Sequence, residues 1–228
     1  MPSVLITGSS KGLGKSLALN YAFNGYNVVL HGRDIIRLEN VEKEVLRYGV
    51  SCQVVVGDIT NENIITELVK CAKDFDIDIL INNAGIYSQK PIDEILTNEL
   101  EQMIAINLIA PIALTKKVFL NHFRCRKSSL IININSIAGR NPSVFESAYC
   151  ASKHGLKGFM ESFQFEALKS GISITNVYLG AMNTEMTSYR KDSDKFMKTK
   201  EVADLICSLS ENYSSLRISE VEILRKIY

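Results

Sequence analysis

A glycine-rich turn set between a short branched strand and a helix constrains this chain more than any other feature. Val4-Leu5-Ile6 runs into Thr7-Gly8-Ser9-Ser10-Lys11-Gly12-Leu13-Gly14, and a helix is expected from about Gly12 to Phe23. Glycines there permit a tight turn and close backbone approach, so the amides at the helix N-terminus can meet a pyrophosphate. The spacing Gly8-x3-Gly12-x-Gly14 is a longer form than GxGxxG. Gly14-Lys15-Ser16 imitates the end of a triphosphate-binding loop, but that loop needs four residues between its first glycine and its Gly-Lys, and Gly8 and Gly14 enclose five. Lys15 and Ser16 therefore read as first-helix residues.

Beyond this turn, short branched runs alternate with amphipathic segments, the pattern of a parallel sheet covered by helices. Strands are expected at Val4 to Ile6, Asn27 to His31, Cys52 to Val56, Ile77 to Ile81, Leu130 to Asn135 and Ile172 to Tyr178. Helices are expected at Gly12 to Phe23, along the stripe Ile35, Leu38, Val41, Val45 and Leu46, and then at Asn61 to Phe75, Leu100 to Phe123, Ser147 to Ser170 and Lys200 to Leu209. Alternating Leu216, Ile218, Val221 and Ile223 suggest a closing strand, and Gly171 a helix C-cap. The expected fold is therefore α/β, a Rossmann-like doubly wound parallel sheet of about seven strands with helices on both faces. All 228 residues form one domain, since no linker or repeat divides them. The apolar residues Leu156, Phe159, Met160, Phe163 and Leu168 mark a core face or a helix-paired dimer surface. Residues 180 to 199 read either as an irregular flap over a ligand site or as a solvated connection.

Charge narrows the partners. A net charge of +1 with closely mixed signs offers no basic stripe for nucleic acid or acidic lipid, which leaves small-molecule or protein partners. Cys52, Cys71, Cys125, Cys150 and Cys207 are odd in number and widely spaced, so reduced thiols are expected and no metal site. No basic segment followed by a long apolar span precedes the first strand, and a cytoplasmic, non-membrane protein is the expectation.

The end of the second strand bears on cofactor choice. An acidic side chain there would suit the adenine ribose of NAD, whereas the extra phosphate of NADP favours positive charge. The chain has His31-Gly32-Arg33: Gly32 cannot accept a ribose hydroxyl, and Arg33 can pair with a phosphate. Asp34 argues the other way, or caps the following helix. NADP(H) is preferred and NAD(H) stays open.

Tyr149 and Lys153 lie one helical turn apart and share a face, with Ser136 on the preceding strand. A free phenol titrates near ~10, and bringing it toward neutrality needs roughly 3 units, about 4 kcal/mol of differential stabilisation. Lys153 and a positive nicotinamide are expected to supply it by favouring phenolate. Tyr149 would then exchange a proton with a carbonyl or alcohol oxygen that Ser136 orients.

Together these motifs closely resemble the short-chain dehydrogenase/reductase family in its single-domain form, over nearly the whole chain. Thr7-Gly8-x3-Gly12-x-Gly14 is similar to the family's cofactor turn, Asp58 to its adenine-side acid, and Asn82-Asn83-Ala84-Gly85 to its NNAG run. Asn107 is similar to its helix asparagine, Ser136 to its serine, and Tyr149-x3-Lys153 to its active pair. The resemblance implies catalytic roles for Asn107, Ser136, Tyr149 and Lys153. It further implies that Lys153 holds the nicotinamide ribose and Asn107 a proton-relaying water. Cofactor contacts are expected from Thr7, Gly8, Ser10, Lys11, Gly12, Leu13, Gly14, Arg33, Asp58, Asn83, Ala84, Gly85, Tyr149, Lys153, Gly180 and Thr184. Two departures stand out. Leu179-Gly180 replaces the family's Pro-Gly pair, and the chain ends without its glycine-rich tail, so a homodimer is expected before a tetramer.

Substrate is expected among Ser88 to Lys90, Ile137 to Ser147 and Ala181 to Lys200, with Met182, Met186, Tyr189 and Phe196 as a moderately apolar lid. The function implied is NADP(H)-dependent hydride transfer between nicotinamide and a carbonyl or secondary alcohol, such as a 3-oxoacyl thioester or small ketone. The alternative is a dinucleotide-binding regulator without catalysis.

Overall fold

The structure, a computed structural model, describes residues 1–126, 128–187, 192–211 and 213–226. In chain order it comprises β1 (Ser3–Ile6), α1 (Gly12–Phe23), β2 (Asn27–Gly32), α2 (Ile35–Leu46), β3 (Cys52–Val56), α3 (Glu62–Asp74) and β4 (Ile79–Asn82). There follow α4 (Thr97–Ile104), α5 (Ala110–Asn121), β5 (Ser129–Ser136), α6 (Ser147–Ala167), β6 (Ile172–Leu179), β7 (Met182–Asn183), β8 (Met197–Lys198), α7 (Thr199–Leu209) and β9 (Glu220–Ile223). Seven strands form one parallel sheet in the order β3-β2-β1-β4-β5-β6-β9. The direction of winding reverses between β1 and β4, which opens a crevice at their carboxyl ends.

Period-two alternation divides the strand residues between two cores. Val4, Ile6, Ile79 and Ile81 pack under α1, α2 and α7, while Leu5, Leu80 and Ile131 pack under α3, α5 and α6. The inner strands β1, β4, β5 and β6, with β2, are buried on both faces, which explains their largely apolar, branched composition, whereas the edge strands β3 and β9 are only partly covered.

Four expected elements differ by more than one residue at a boundary. The strand at Ile77 begins at Ile79, because the Ile77 amide still bonds the Ala72 carbonyl at the exit of α3. The helix expected from Leu100 to Phe123 starts at Thr97, and a π-turn at Ala105–Ile109 separates α4 from α5. Pro111 explains the break, since it has no N–H to offer the Asn107 carbonyl one turn earlier. The helix at Ser147 ends at Ala167 and tightens into a 3-10 turn, Leu168–Ser170, before Gly171 closes it in left-handed conformation, φ 73°. The closing strand is only Glu220–Ile223, and Leu216 is exposed.

The stretch Thr97–Cys125 is long and apolar enough to cross a membrane by composition. Here its Met103, Ile106, Ala110, Leu114 and Val118 are buried in the domain, as in a core helix. On α6, Leu156 and Met160 are core, whereas Phe159 and Phe163 pack partly buried with Phe119 of α5, and Phe165 is exposed. All five cysteines are free.

Candidate active site

The β1–α1 turn is held in place by other segments. Thr7 Oγ1 accepts from the amides of Asn83 and Ala84, both at 3.0 Å, and Asn83 Nδ2 donates to the carbonyls of Thr7 at 2.8 Å and Gly8 at 3.0 Å. Ser9 is pinned to β2, its Oγ accepting the His31 amide at 2.9 Å. Burial pushes the His31 imidazole down to about 4, so it sits neutral beneath the turn. Gly8 and Gly12 have φ 66° and 56°, and a Cβ on Gly14 would stand 2.2 Å from the Gly8 carbonyl oxygen. Only glycines fit this cradle.

In front of the turn lies a cavity of about 530 Å³ that runs from Arg33 and Asp58 to Ser136, Tyr149 and Lys153. Every residue expected at the cofactor lines it except Thr7, which is buried behind the turn as its brace. An elongated dinucleotide fits this shape: a bare glycine face in the middle, cations at one end and a phenol at the other. At the far end Asp58 is held ionised chiefly by the Thr60 amide and approaches Arg33 at 4.0 Å. Lys11 is committed to Glu185 at 2.6 Å, and Arg37 of α2 reaches the same carboxylate at 2.7 Å. Asp34 caps α2 by accepting the Arg37 amide at 3.0 Å, the second of the two roles open to it.

At the opposite end, Lys153 is buried and donates to the Ile134 carbonyl at 3.1 Å, with its ammonium 5.8 Å from the Tyr149 ring centre. Asn135 Nδ2 bonds the Lys153 carbonyl at 3.2 Å and its Oδ1 accepts the Ser136 amide at 2.8 Å, which ties β5 to α6. Asn107 lies behind the cavity wall in the π-turn. Its side chain clasps both the amide and the carbonyl of Ile86, each at 2.8 Å, and donates to Ser152 Oγ at 3.2 Å. Ser152 in turn donates to the Tyr149 carbonyl at 2.7 Å. The Asn107 side chain is thus a brace between Ile86, directly after the NNAG run, and α6.

Burial dominates the electrostatics of the pair. The Tyr149 phenol is pushed up, to about 12, by burial, against a hydrogen bond from Ser136 that lowers it, while burial brings Lys153 down to about 8. Desolvation of the phenolate is the leading cause, so Tyr149 holds its proton before any cationic ring is beside it.

A family model described as short chain dehydrogenase matches residues 2–195. The chain belongs to the short-chain dehydrogenase family. That family is one of oxidoreductases, which sets the general class of activity. The chain is 33% identical over 225 residues to an NADP-dependent 3-hydroxy acid dehydrogenase of Schizosaccharomyces pombe, with 96% of this chain and 84% of that one covered. It is 32% identical over 202 residues to mouse 17-beta-hydroxysteroid dehydrogenase type 3; that match takes in 85% of this chain and only 66% of the longer relative. Among solved structures, a metagenomic short-chain oxidoreductase in complex with NADP aligns with TM-score 0.85 at 28% identity, over 100% of this chain and 98% of that one.

The segments around the cavity meet the sequence expectations only in part. Ser88 and Lys90 turn away from the main cavity, and Phe196 is core rather than lid, 4% exposed. Met182 and Met186 do line the cavity, whereas Tyr189 lies outside the described residues. The flap pairs with itself through β7 and β8. Gly180 lines the cavity without strain, since a Cβ there would meet only ordinary contacts. Arg37 and Tyr87 emerge as polar neighbours of the site that no motif announced, while Glu146 and Glu185 fall within the segments expected at the substrate. A further row of asparagines, Asn82, Asn133 and Asn176, hydrogen-bonds across β4, β5 and β6 inside the core.

Proposed function

We propose that this dehydrogenase transfers hydride between NADP(H) and a small carbonyl compound or its secondary alcohol. The observation that carries the reading is the convergence of Ser136, Tyr149 and Lys153 at one end of a cavity whose middle is the glycine turn. When bound, the nicotinamide supplies or accepts the hydride. Tyr149 holds a proton on its phenol oxygen and delivers it to the oxygen of the reduced carbonyl. Ser136 Oγ directs that oxygen, and Lys153 lies behind Tyr149 to restore its charge balance. The reverse reaction uses Tyr149 as base. Asn107 braces the segment that follows the NNAG run, and the family resemblance implies that it would also hold a proton-relaying water.

NADP(H) is favoured because β2 ends in Gly32 rather than an acid, with Arg33 at the cavity wall and Lys11 and Arg37 nearby. A single cytoplasmic domain acting as a homodimer, with tetramer formation secondary, completes the reading. The test is a panel of carbonyls and alcohols assayed with NADPH, NADH and both oxidised forms. Absence of turnover with tight NADPH binding would overturn it in favour of a dinucleotide-binding regulator.

Two expected results attach to this reading. Arg33→Ala should raise KM for NADPH about tenfold or more, the worth of a charge-assisted hydrogen bond to phosphate, and change KM for NADH by less than about threefold. Equal losses for both coenzymes would show that Arg33 does not read the phosphate. The pH dependence follows from Lys153, whose value is lowered to about 8. Its ammonium is present below that value and lost above it, so carbonyl reduction should fall as pH rises through about 8, while alcohol oxidation rises over the same interval. Initial rates between about pH 6 and 10 read this directly, and a reduction rate that climbs with pH would contradict the proton-donor role.

A further inference from the structure

We infer that the preferred substrate carries a hydrogen-bond donor, a hydroxyl or an ammonium, beside its reacting carbonyl, and that the Glu146 carboxylate recognises it. The inference rests on the oxidoreductase reading and names the substrate class of the same site. Glu146 is the last residue before α6, one turn ahead of Tyr149, and it lines the catalytic end of the cavity. Its backbone is fixed: the carbonyl accepts the Cys150 amide at 2.7 Å and the amide donates to the Ser143 carbonyl at 3.3 Å. Its side chain is aimed by Tyr87, whose hydroxyl donates to Glu146 Oε1 at 2.6 Å. The Tyr87 ring stands edge-on to the Tyr149 ring, with centres 4.9 Å apart and planes at 89°. One chain of contacts therefore fixes the carboxylate relative to the proton donor.

A carboxylate has about four lone-pair sites, and Tyr87 satisfies one. Glu146 lines the cavity together with Asn141 and Ser143. The charges lining the cavity divide by place. Lys11, Arg33, Asp58 and Glu185 lie at the adenosine end, and Lys153 and Glu146 at the catalytic end. Lys153 is buried and bonded to the Ile134 carbonyl. Glu146 is thus the charge that meets the substrate among the described residues, without an arginine or lysine side chain paired to it there. A donor group on the substrate completes its hydrogen bonds, whereas a substrate carboxylate at the same place meets a like charge.

The test uses four ketones of similar size with NADPH: butanone, hydroxyacetone, aminoacetone and acetoacetate. For the unaltered protein, kcat/KM for hydroxyacetone or aminoacetone should exceed that for butanone by about tenfold or more, with acetoacetate below butanone. The two donor-bearing compounds separate hydroxyl from ammonium recognition. In Glu146→Gln the ratio of aminoacetone to butanone should fall about tenfold and the ratio of acetoacetate to butanone should rise, because the charge is lost while an acceptor remains. NADPH fluorescence reports whether this variant keeps its cofactor site, and if it fails to fold, the selectivity of the unaltered protein decides. Turnover of butanone or acetoacetate at or above the donor-bearing ketones overturns the inference and leaves the oxidoreductase reading intact, as do ratios indifferent to Glu146→Gln. NADPH binding without turnover of any carbonyl overturns both.

Discussion

Replacing Tyr149 with Phe is expected to lower NADPH-dependent carbonyl reduction by at least about a hundredfold, the usual worth of a positioned general acid. Cofactor affinity should change by less than about threefold, because the substitution deletes one oxygen and keeps the ring. The ring is what packs against Tyr87, and the backbone of Tyr149 stays tied to Ser152, so the local structure has no reason to move. The hydroxyl, by contrast, is the proton on the scene, since burial keeps the phenol protonated with a value of about 12. Absorbance loss of NADPH measures turnover, and quenching or enhancement of its fluorescence measures binding. Retained turnover in Tyr149→Phe would remove Tyr149 from the chemistry and send the search to Ser136 or a bound water.

Gly14→Ala is expected to damage both the fold and the cofactor site. The added Cβ would lie 2.2 Å from the Gly8 oxygen and 2.6 Å from Asn83 Nδ2. Neither atom can easily yield. Gly8 is backbone in a left-handed conformation, and the Asn83 amide is bonded to the Thr7 and Gly8 carbonyls. Overpacking of this kind costs about 1–3 kcal/mol. In a domain of this size that lowers Tm by about 3–10 °C. The turn must also shift, so NADPH affinity should drop by more than about tenfold. Gly158→Ala is the control: it lies in α6 with nothing within 4 Å of its Cβ direction, and helix propensity alone should stabilise it by up to about 1 kcal/mol. A Gly14→Ala protein with unchanged melting and unchanged NADPH affinity would refute the close-packed turn.

Legibility from sequence followed the range of the interactions. Gly8, Gly12 and Gly14 announce a turn because backbone conformation is local, and the branched runs announce buried strands because each residue carries its own hydrophobicity. The π-turn at Ala105–Ile109 was hidden, although Pro111 stood beside it, because the signal concerns one missing N–H inside an otherwise regular stripe. Asn82 was legible as part of a motif, but its bonds to Thr115 and Asn133 depend on the register of β4 with β5. Phe196 was indistinguishable from a lid residue until its burial was visible. The raised value of the Tyr149 phenol was hidden for the same reason: the spacing to Lys153 is local, but the desolvation that dominates the phenol comes from everything packed around it.

The sequence by itself determined the strand–turn–helix that begins the domain, the parallel α/β class, and the family whose motifs run from Thr7 to Lys153. These depend on local backbone freedom, periodic hydrophobicity and fixed spacing. Only the tertiary structure decided that Thr7 and the Asn107 side chain brace the site, that Lys11 and Arg37 share Glu185, and that Tyr87 aims Glu146 beside Tyr149. Those contacts join residues from 21 to 174 positions apart. Their free energies depend on burial and distance, which exist only once the sheet has assembled.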